Sequence, residues 1–336
     1  MKTFRFSLVA LAATALFTAC SDEAVVEQQQ QPTIGGEQAI AFRLQGGIPE
    51  TRATATTDLN VDAFVVYGVD DQAVANIFDG MTIARQVGGN FDYNPKKYYS
   101  NGAASAHFVA YSPVSANILS STVASPLVTA SFEYEVKAPD ATGITAQEDF
   151  LIADTSFTTI TSTVNLNFRH ALSRIFVKAV NDLSEDVVIT GLELKNLKSK
   201  GTVTTPLPLT WAADASSIRN YSYLLAPTGV AVKAGTGTGS PNNPVLVTSM
   251  EQGMMVLPQP TVNGGTDDYT AGDFALEVTY DVANLTGEKA YVYLSPGYAF
   301  VAGNQYAITI EFDGTDLIEI DFTIEVTEFT PIVNIP

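Results

Sequence analysis

Two histidines, His107 and His170, one cysteine, Cys20, and a few carboxylate pairs are the side chains in these 336 residues whose types and spacing could do chemistry. A catalytic histidine needs a nucleophile on one side and an orienting group on the other. His170 instead follows Val164, Leu166 and Phe168 on one face of an alternating segment and precedes Leu172 there, which makes it a satisfied core or interdomain histidine. His107 opens His107-Phe108-Val109-Ala110-Tyr111 and reads as structural too. Two histidines and one cysteine make no zinc set. The pairs Asp70-Asp71, Glu148-Asp149 and Asp267-Asp268 sit among turn formers, and no Asp-x-Asp-x-Asp-Gly run offers calcium its alternating oxygens. Asp313-Gly314-Thr315-Asp316 is a hairpin signal. The tract from Ala234 to Pro244 is glycine-rich, but it lacks the Lys-Ser/Thr and the following helix that would hold a phosphate, so it reads as a surface loop. Nothing promotes a distant carboxylate pair for glycoside hydrolysis. The expectation is a protein that is not an enzyme, with no metal and no cofactor.

Cys20 has a different chemistry. Met1-Lys2-Thr3-Phe4-Arg5 is followed by an apolar run from Phe6 to Phe17 and then by Thr18-Ala19-Cys20, the order of a secretory signal peptide. The run is shorter than the roughly 20 apolar residues that a membrane-spanning helix needs. Small residues just ahead of a cysteine resemble the lipobox of bacterial lipoproteins, with Phe17 standing where that pattern usually has leucine. An ordinary signal peptide would instead leave Cys20 as an odd free thiol in an oxidising compartment. Residues 1–20 are thus expected to be a lipoprotein signal, with Cys20 as the acylated residue. Ser21-Asp22-Glu23 resembles the acidic tag that sends some lipoproteins to the outer face of the outer membrane, and Ala24 to Gly36 reads as a tether.

The chain carries 17 basic and 36 acidic residues, a net charge of −19; losing Lys2 and Arg5 with the signal leaves 15 against 36, or −21. With no Lys/Arg cluster there is no counterion-release energy to be had, so neither nucleic acid nor an anionic membrane surface is expected as a partner. At 46% hydrophobic and 16% charged residues, the chain is composed like a folded domain rather than a disordered one.

The elements that position these residues read as strands. Ile40-Phe42-Leu44, Phe64-Val66, Phe108-Ala110 and Val164-Leu166-Phe168 each alternate with polar neighbours, and turn residues interrupt the apolar stretches at regular intervals. No stretch has a helical period. The expectation is an all-β protein of two sandwiches, 53–183 and 184–336, divided in the turn formers from Val180 to Asp186. From Val164 to Leu172 the inward positions are even, and from Ile175 to Ala179 they are odd, which predicts a bulge or kink near Ser173-Arg174.

Two edges look unfinished. The strand Gln38 to Leu44 is soon followed by Thr51-Arg52-Ala53-Thr54, where small residues around one arginine either form an ordinary loop or expose a site to a trypsin-like protease. At the other end Ile318, Ile320, Phe322, Ile324 and Val326 alternate with polar residues, and Phe329, Ile332, Val333 and Ile335 continue in an apolar segment. Such a segment either completes its own sandwich or enters a neighbour as an added strand.

Asp149-Phe150-Leu151-Ile152-Ala153, Val164 to Phe168 and Arg169-His170-Ala171-Leu172-Ser173-Arg174-Ile175 together resemble the signature of the fimbrillin family of type V pili. Phe108 to Pro113, Val256 to Pro260, Gly297-Tyr298 and Gly303 to Tyr306 extend the resemblance in order along most of the chain. The resemblance implies two transthyretin-like β-sandwiches and delivery to the cell outer membrane as a lipoprotein. It further implies cleavage by an arginine-specific protease between Arg52 and Ala53. That cut makes residues 21–52 a tether and removable first strand, with Ile40, Phe42 and Leu44 as the displaced side chains. The C-terminal strand of another pilus subunit, with Phe329, Ile332, Val333 and Ile335, would fill the opened groove. Phe168, His170, Leu172 and Ile175 are then a structural corner. A host or bacterial surface ligand is the further partner class for such an adhesive subunit, and a retained donor strand suits a stalk position better than a tip. The competing reading is a monomeric surface lipoprotein that binds glycan or another ligand on exposed tyrosines.

Overall fold

A computed structural model describes residues 33–34, 37–44, 61–123, 129–139, 147–235, 244–248, 253–260, 274–293, 299–313 and 320–328. The protein is all-β: among the described residues every regular element is a strand. This agrees with the alternation and the richness in Thr, Val, Tyr and Phe, side chains that suit a pleated, half-buried surface.

A six-stranded antiparallel sheet organises the N-terminal half. Its order is Arg169–His170, Leu151–Phe157, Ala106–Ser112, Ala63–Asp70, Phe78–Arg85 and Phe91–Asp92. Across one face lies a two-stranded parallel pair, Ala41–Leu44 with Thr163–Leu166. Phe64, Val66, Phe78, Ile83, Phe108, Ala110, Leu151 and Ala153 from the sheet meet Ile40, Phe42, Val164 and Leu166 from the pair in one core. The opposite face is covered as well: Val69, Val109 and Ile152 belong to a second, larger core. Ala63–Asp70 is therefore buried at almost every position rather than at alternate ones, as expected of a strand enclosed on both faces.

Three further sheets build the larger core. Val187–Lys198 lies between Ile218–Ser222 and Ala275–Val282, and Leu285–Tyr293 follows the latter. Ser173–Asn181 runs parallel to Asn304–Phe312, which pairs antiparallel with Ile320–Glu328 at the sheet's edge. In the third, the hairpin Ile118–Val123 with Ala130–Glu135 joins Lys200–Thr204 and Thr210–Ala213. This last sheet combines chain from both sides of the expected division near residue 183. The turn there is held by Asn181, whose side chain accepts from Leu183 N at 2.9 Å and donates to the Glu185 carbonyl at 2.9 Å and the Val232 carbonyl at 3.0 Å.

The parity change after Leu172 has a different origin from a bulge within a strand. The chain leaves the six-stranded sheet at His170, crosses Ala171 and Leu172 without a ladder partner, and enters the next sheet at Ser173. Changing sheets changes which parity faces inward, so no extra residue is needed.

Candidate functional site

The site is the groove occupied by the first strand. Ala41, Phe42, Arg43 and Leu44 lie opposite Thr163, Val164, Asn165 and Leu166. Its other flank is the segment after Phe91–Asp92: Ile40 N donates to the Lys97 carbonyl at 3.0 Å, and Ala41 N donates to the Ser162 carbonyl at 2.7 Å. The strand bridges the gap between these flanks, with Ile40 at 0% and Phe42 at 3% exposure while Arg43 faces solvent.

Phe42 sits in an aromatic socket. Its ring centroid lies 5.7 Å from Phe64, 5.3 Å from Phe78, 6.0 Å from Tyr93 and 5.9 Å from Phe108, all edge-on. Such pairs add about 0.5–1.5 kcal/mol each beyond area burial. The socket depends on Gly68, where a Cβ would come within 2.5 Å of the Phe108 ring and 3.3 Å of Phe78. An isolated glycine inside a strand pattern marks such a close approach.

One polar bond ties the strand in. The Tyr93 hydroxyl donates to the Ile40 carbonyl at 2.5 Å, and burial pushes its pKa up to about 12. Full burial of side chains such as Ile40 and Phe42 is worth roughly 1.5–3 kcal/mol apiece. This gain is set against the conformational entropy lost when the first strand is ordered.

The signature residues form the corner between the two cores. Phe168 packs in the first-strand core against Phe64 at 5.7 Å, whereas Leu172 and Ile175 lie in the larger core. His170 is buried between them, its Nδ1 3.0 Å from Asp149 Oδ1. Ala171 donates to the Phe150 carbonyl at 2.8 Å and accepts from Trp211 Nε1 at 2.8 Å. Arg174 reaches Gln305 Oε1 at 2.6 Å, and burial lowers its pKa against the opposing charge of Asp149. These groups hold a sharp change of direction. The second histidine, His107, approaches Asp154 at 3.2 Å and lines an open cleft of about 660 Å³ with Asp70 and Asp71. Among the described residues no cluster of three or more His, Cys, Asp or Glu could hold a metal ion.

Of the residues singled out by sequence, Ile40, Phe42 and Leu44 come together as the side chains of the strand that fills the groove, and Phe168 lies in the same core. Cys20, Arg52, Ala53, Phe329, Ile332, Val333 and Ile335 lie outside the described residues, as do Asp267, Asp268 and most of the glycine-rich tract. Sequence reasoning missed Tyr93, Gly68 and the Asp149 partner of His170. Only Gly68 carried a signal, being a glycine within an apolar strand.

The chain matches the family model described as Fimbrillin-like over residues 51–326. A fimbrial protein from Bacteroides vulgatus aligns in structure with a TM-score of 0.63 at 14% identity, over 87% of this chain and 99% of that one. A candidate cell adhesion protein from Bacteroides ovatus gives a TM-score of 0.54 at 14% identity, covering 87% and 98%. At such identities the likeness is one of fold. No curated protein matches the chain.

Proposed function

The chain belongs to the fimbrillin-like family, and from that premise we propose that it is a structural, adhesive subunit of a cell-surface fimbria that polymerises by proteolysis-triggered strand exchange. Cys20 is lipidated and carries the subunit to the outer membrane. An arginine-specific protease then cuts between Arg52 and Ala53, and the lipid, the tether and the first strand leave together. The C-terminal segment of another subunit, with Phe329, Ile332, Val333 and Ile335, enters the emptied groove and restores its main-chain hydrogen bonds and apolar contacts.

The observation that carries this reading is the first strand itself. It is buried in a core, yet it pairs in the ladder with a single strand, Thr163–Leu166. A segment so deeply buried and so lightly paired can be exchanged for another of the same pattern without rebuilding a sheet.

Limited trypsin treatment of the purified protein, followed by mass measurement and analysis of polymer state, tests the proposal. The expected result is a discrete truncation after Arg52 together with a ladder of multimers. A chain that stays intact at its N-terminus and monomeric would overturn it, in favour of a monomeric lipoprotein that binds glycan or another surface ligand.

A further inference from the structure

The sheet of Ile218–Ser222, Val187–Lys198, Ala275–Val282 and Leu285–Tyr293 turns one face to the larger core, with Leu192, Leu194, Leu276, Val278, Ala290 and Val292 pointing inward. Its register sets Glu193 opposite Glu277, Glu277 opposite Tyr291, Ala275 opposite Tyr293 and Thr279 opposite Lys289. Alternation along each strand therefore gathers Glu193, Lys195, Glu277, Lys289, Tyr291 and Tyr293 on the outer face. We infer that this face binds a neutral oligosaccharide, with sugar rings against Tyr291 and Tyr293 and sugar hydroxyls bonded to the polar groups beside them. The inference rests on the reading of the chain as an adhesive subunit, and supplies the ligand class which that reading leaves open.

Tyr291 and Tyr293 stand on a strand that, among the described residues, is the edge of its sheet. Their ring centroids are 6.3 Å apart and their planes differ by 20°. Tyr67, Tyr99 and Tyr111 are also partly exposed, but each packs against one of the two cores, and Tyr291 and Tyr293 belong to neither. The Tyr291 hydroxyl donates to Glu277 Oε2 at 2.9 Å, which orients the ring before a ligand arrives. A ring held in this way gives up little conformational freedom on binding. The negative face of an aromatic ring attracts the positively polarised C–H groups on one side of a pyranose. Two nearly parallel rings offer that contact to adjoining units of a sugar chain.

The charges of the face select against other ligands. Lys195 Nζ lies 2.5 Å from Glu193 and 3.3 Å from Glu277, and Lys289 Nζ lies 2.8 Å from Glu277. Two ammonium groups thus balance two carboxylates, within a chain whose net charge is −19. A polyanion gains no field from a balanced patch and is repelled by the rest of the chain. A polycation finds these carboxylates already paired. What the patch retains is directional bonding: Ser222, exposed, donates to Glu193 Oε1 at 3.1 Å across the sheet, and Lys289 is exposed beside the tyrosines. Sugar hydroxyls, each a donor and an acceptor, suit such a mixed set.

Calorimetric titration of the intact, uncleaved protein tests this. The probes are neutral hexasaccharides of glucose, mannose, galactose and xylose, with polygalacturonate as the anionic control and decaproline as the peptide control. The expected result is that a hexasaccharide binds, with an affinity unchanged between about 0.05 and 0.5 M salt. Tyr291→Ala and Tyr293→Ala should each weaken it about tenfold, the size of a lost ring contact, while Tyr293→Phe, which keeps the ring, retains it. On the unaltered protein, bound hexasaccharide should protect both tyrosines from nitration by tetranitromethane. Failure of every hexasaccharide to bind, equal binding by the alanine variants, unchanged nitration, or preference for either control would overturn the inference. Multimers after Arg52 cleavage without sugar binding would sink this inference and leave strand exchange standing. Sugar binding by a protein that stays monomeric after cleavage would do the reverse.

Discussion

Phe42 and Tyr93 hold the first strand by different physics, and substitutions separate them. Replacing Phe42 with alanine removes four edge-on ring contacts and leaves a cavity whose walls are fixed by the sheet. We expect the intact protein to lose about 3–5 kcal/mol in urea denaturation, as for other buried aromatic-to-alanine changes. A loss below about 1 kcal/mol would mean that the socket collapses and contributes little. Tyr93 acts through its proton. Its folded pKa, about 12, lies above the ordinary value of 10.0, so its contribution is complete below pH 10 and is lost as the pH climbs through 12. Tyr93→Phe should cost about 1–2 kcal/mol at neutral pH by deleting the bond to the Ile40 carbonyl. The variant should also lose less stability than the parent between pH 10 and 12. Unfolding midpoints for both proteins across that range check the prediction, and parallel pH profiles would contradict it.

At the scale of elements, much of the groove was legible in the sequence because its strands obey a period of two. Ile40, Phe42 and Leu44 were assigned to one face, and so were Val164, Leu166 and Phe168; both sets lie in one core. The parallel pairing of the two strands was not legible, since alternation states which face is apolar but not which strand lies alongside. Val69 was also hidden: it faces the larger core from a sheet buried on both sides, where alternation fades into a continuous apolar run. The parity change around Ser173 was visible, but its cause was not. A bulge and a change of sheet leave the same trace in sequence, and here the chain changes sheets across Ala171 and Leu172. Asp149 gave no advance sign of pairing with His170, because a carboxylate beside turn formers looks like any solvated one.

For the whole molecule, the two cores divide the labour that strand exchange requires. The six-stranded sheet presents one face to the first strand and has its other face fixed by the larger core. An emptied groove would therefore keep its far wall while a replacement strand arrives. The strongly negative net charge, −19 for the full sequence, would keep unassembled subunits apart, so association by strand exchange would depend on a short-range apolar fit rather than on electrostatic steering. Under the proposed function, a lipid on Cys20 would serve delivery, and the neighbour's strand would hold the subunit afterwards. The central claim is that the first strand must leave before subunits join, and a reversible cross-link tests it most directly. Arg43 and Asn165 are opposite one another in the ladder and both face solvent, within the range of separations that a disulfide spans. With Cys20→Ser, the changes Arg43→Cys and Asn165→Cys leave these as the protein's two thiols. After cleavage at Arg52, the oxidised protein should remain monomeric by size-exclusion chromatography and form multimers once reduced; multimers of equal yield under oxidising conditions would contradict the account.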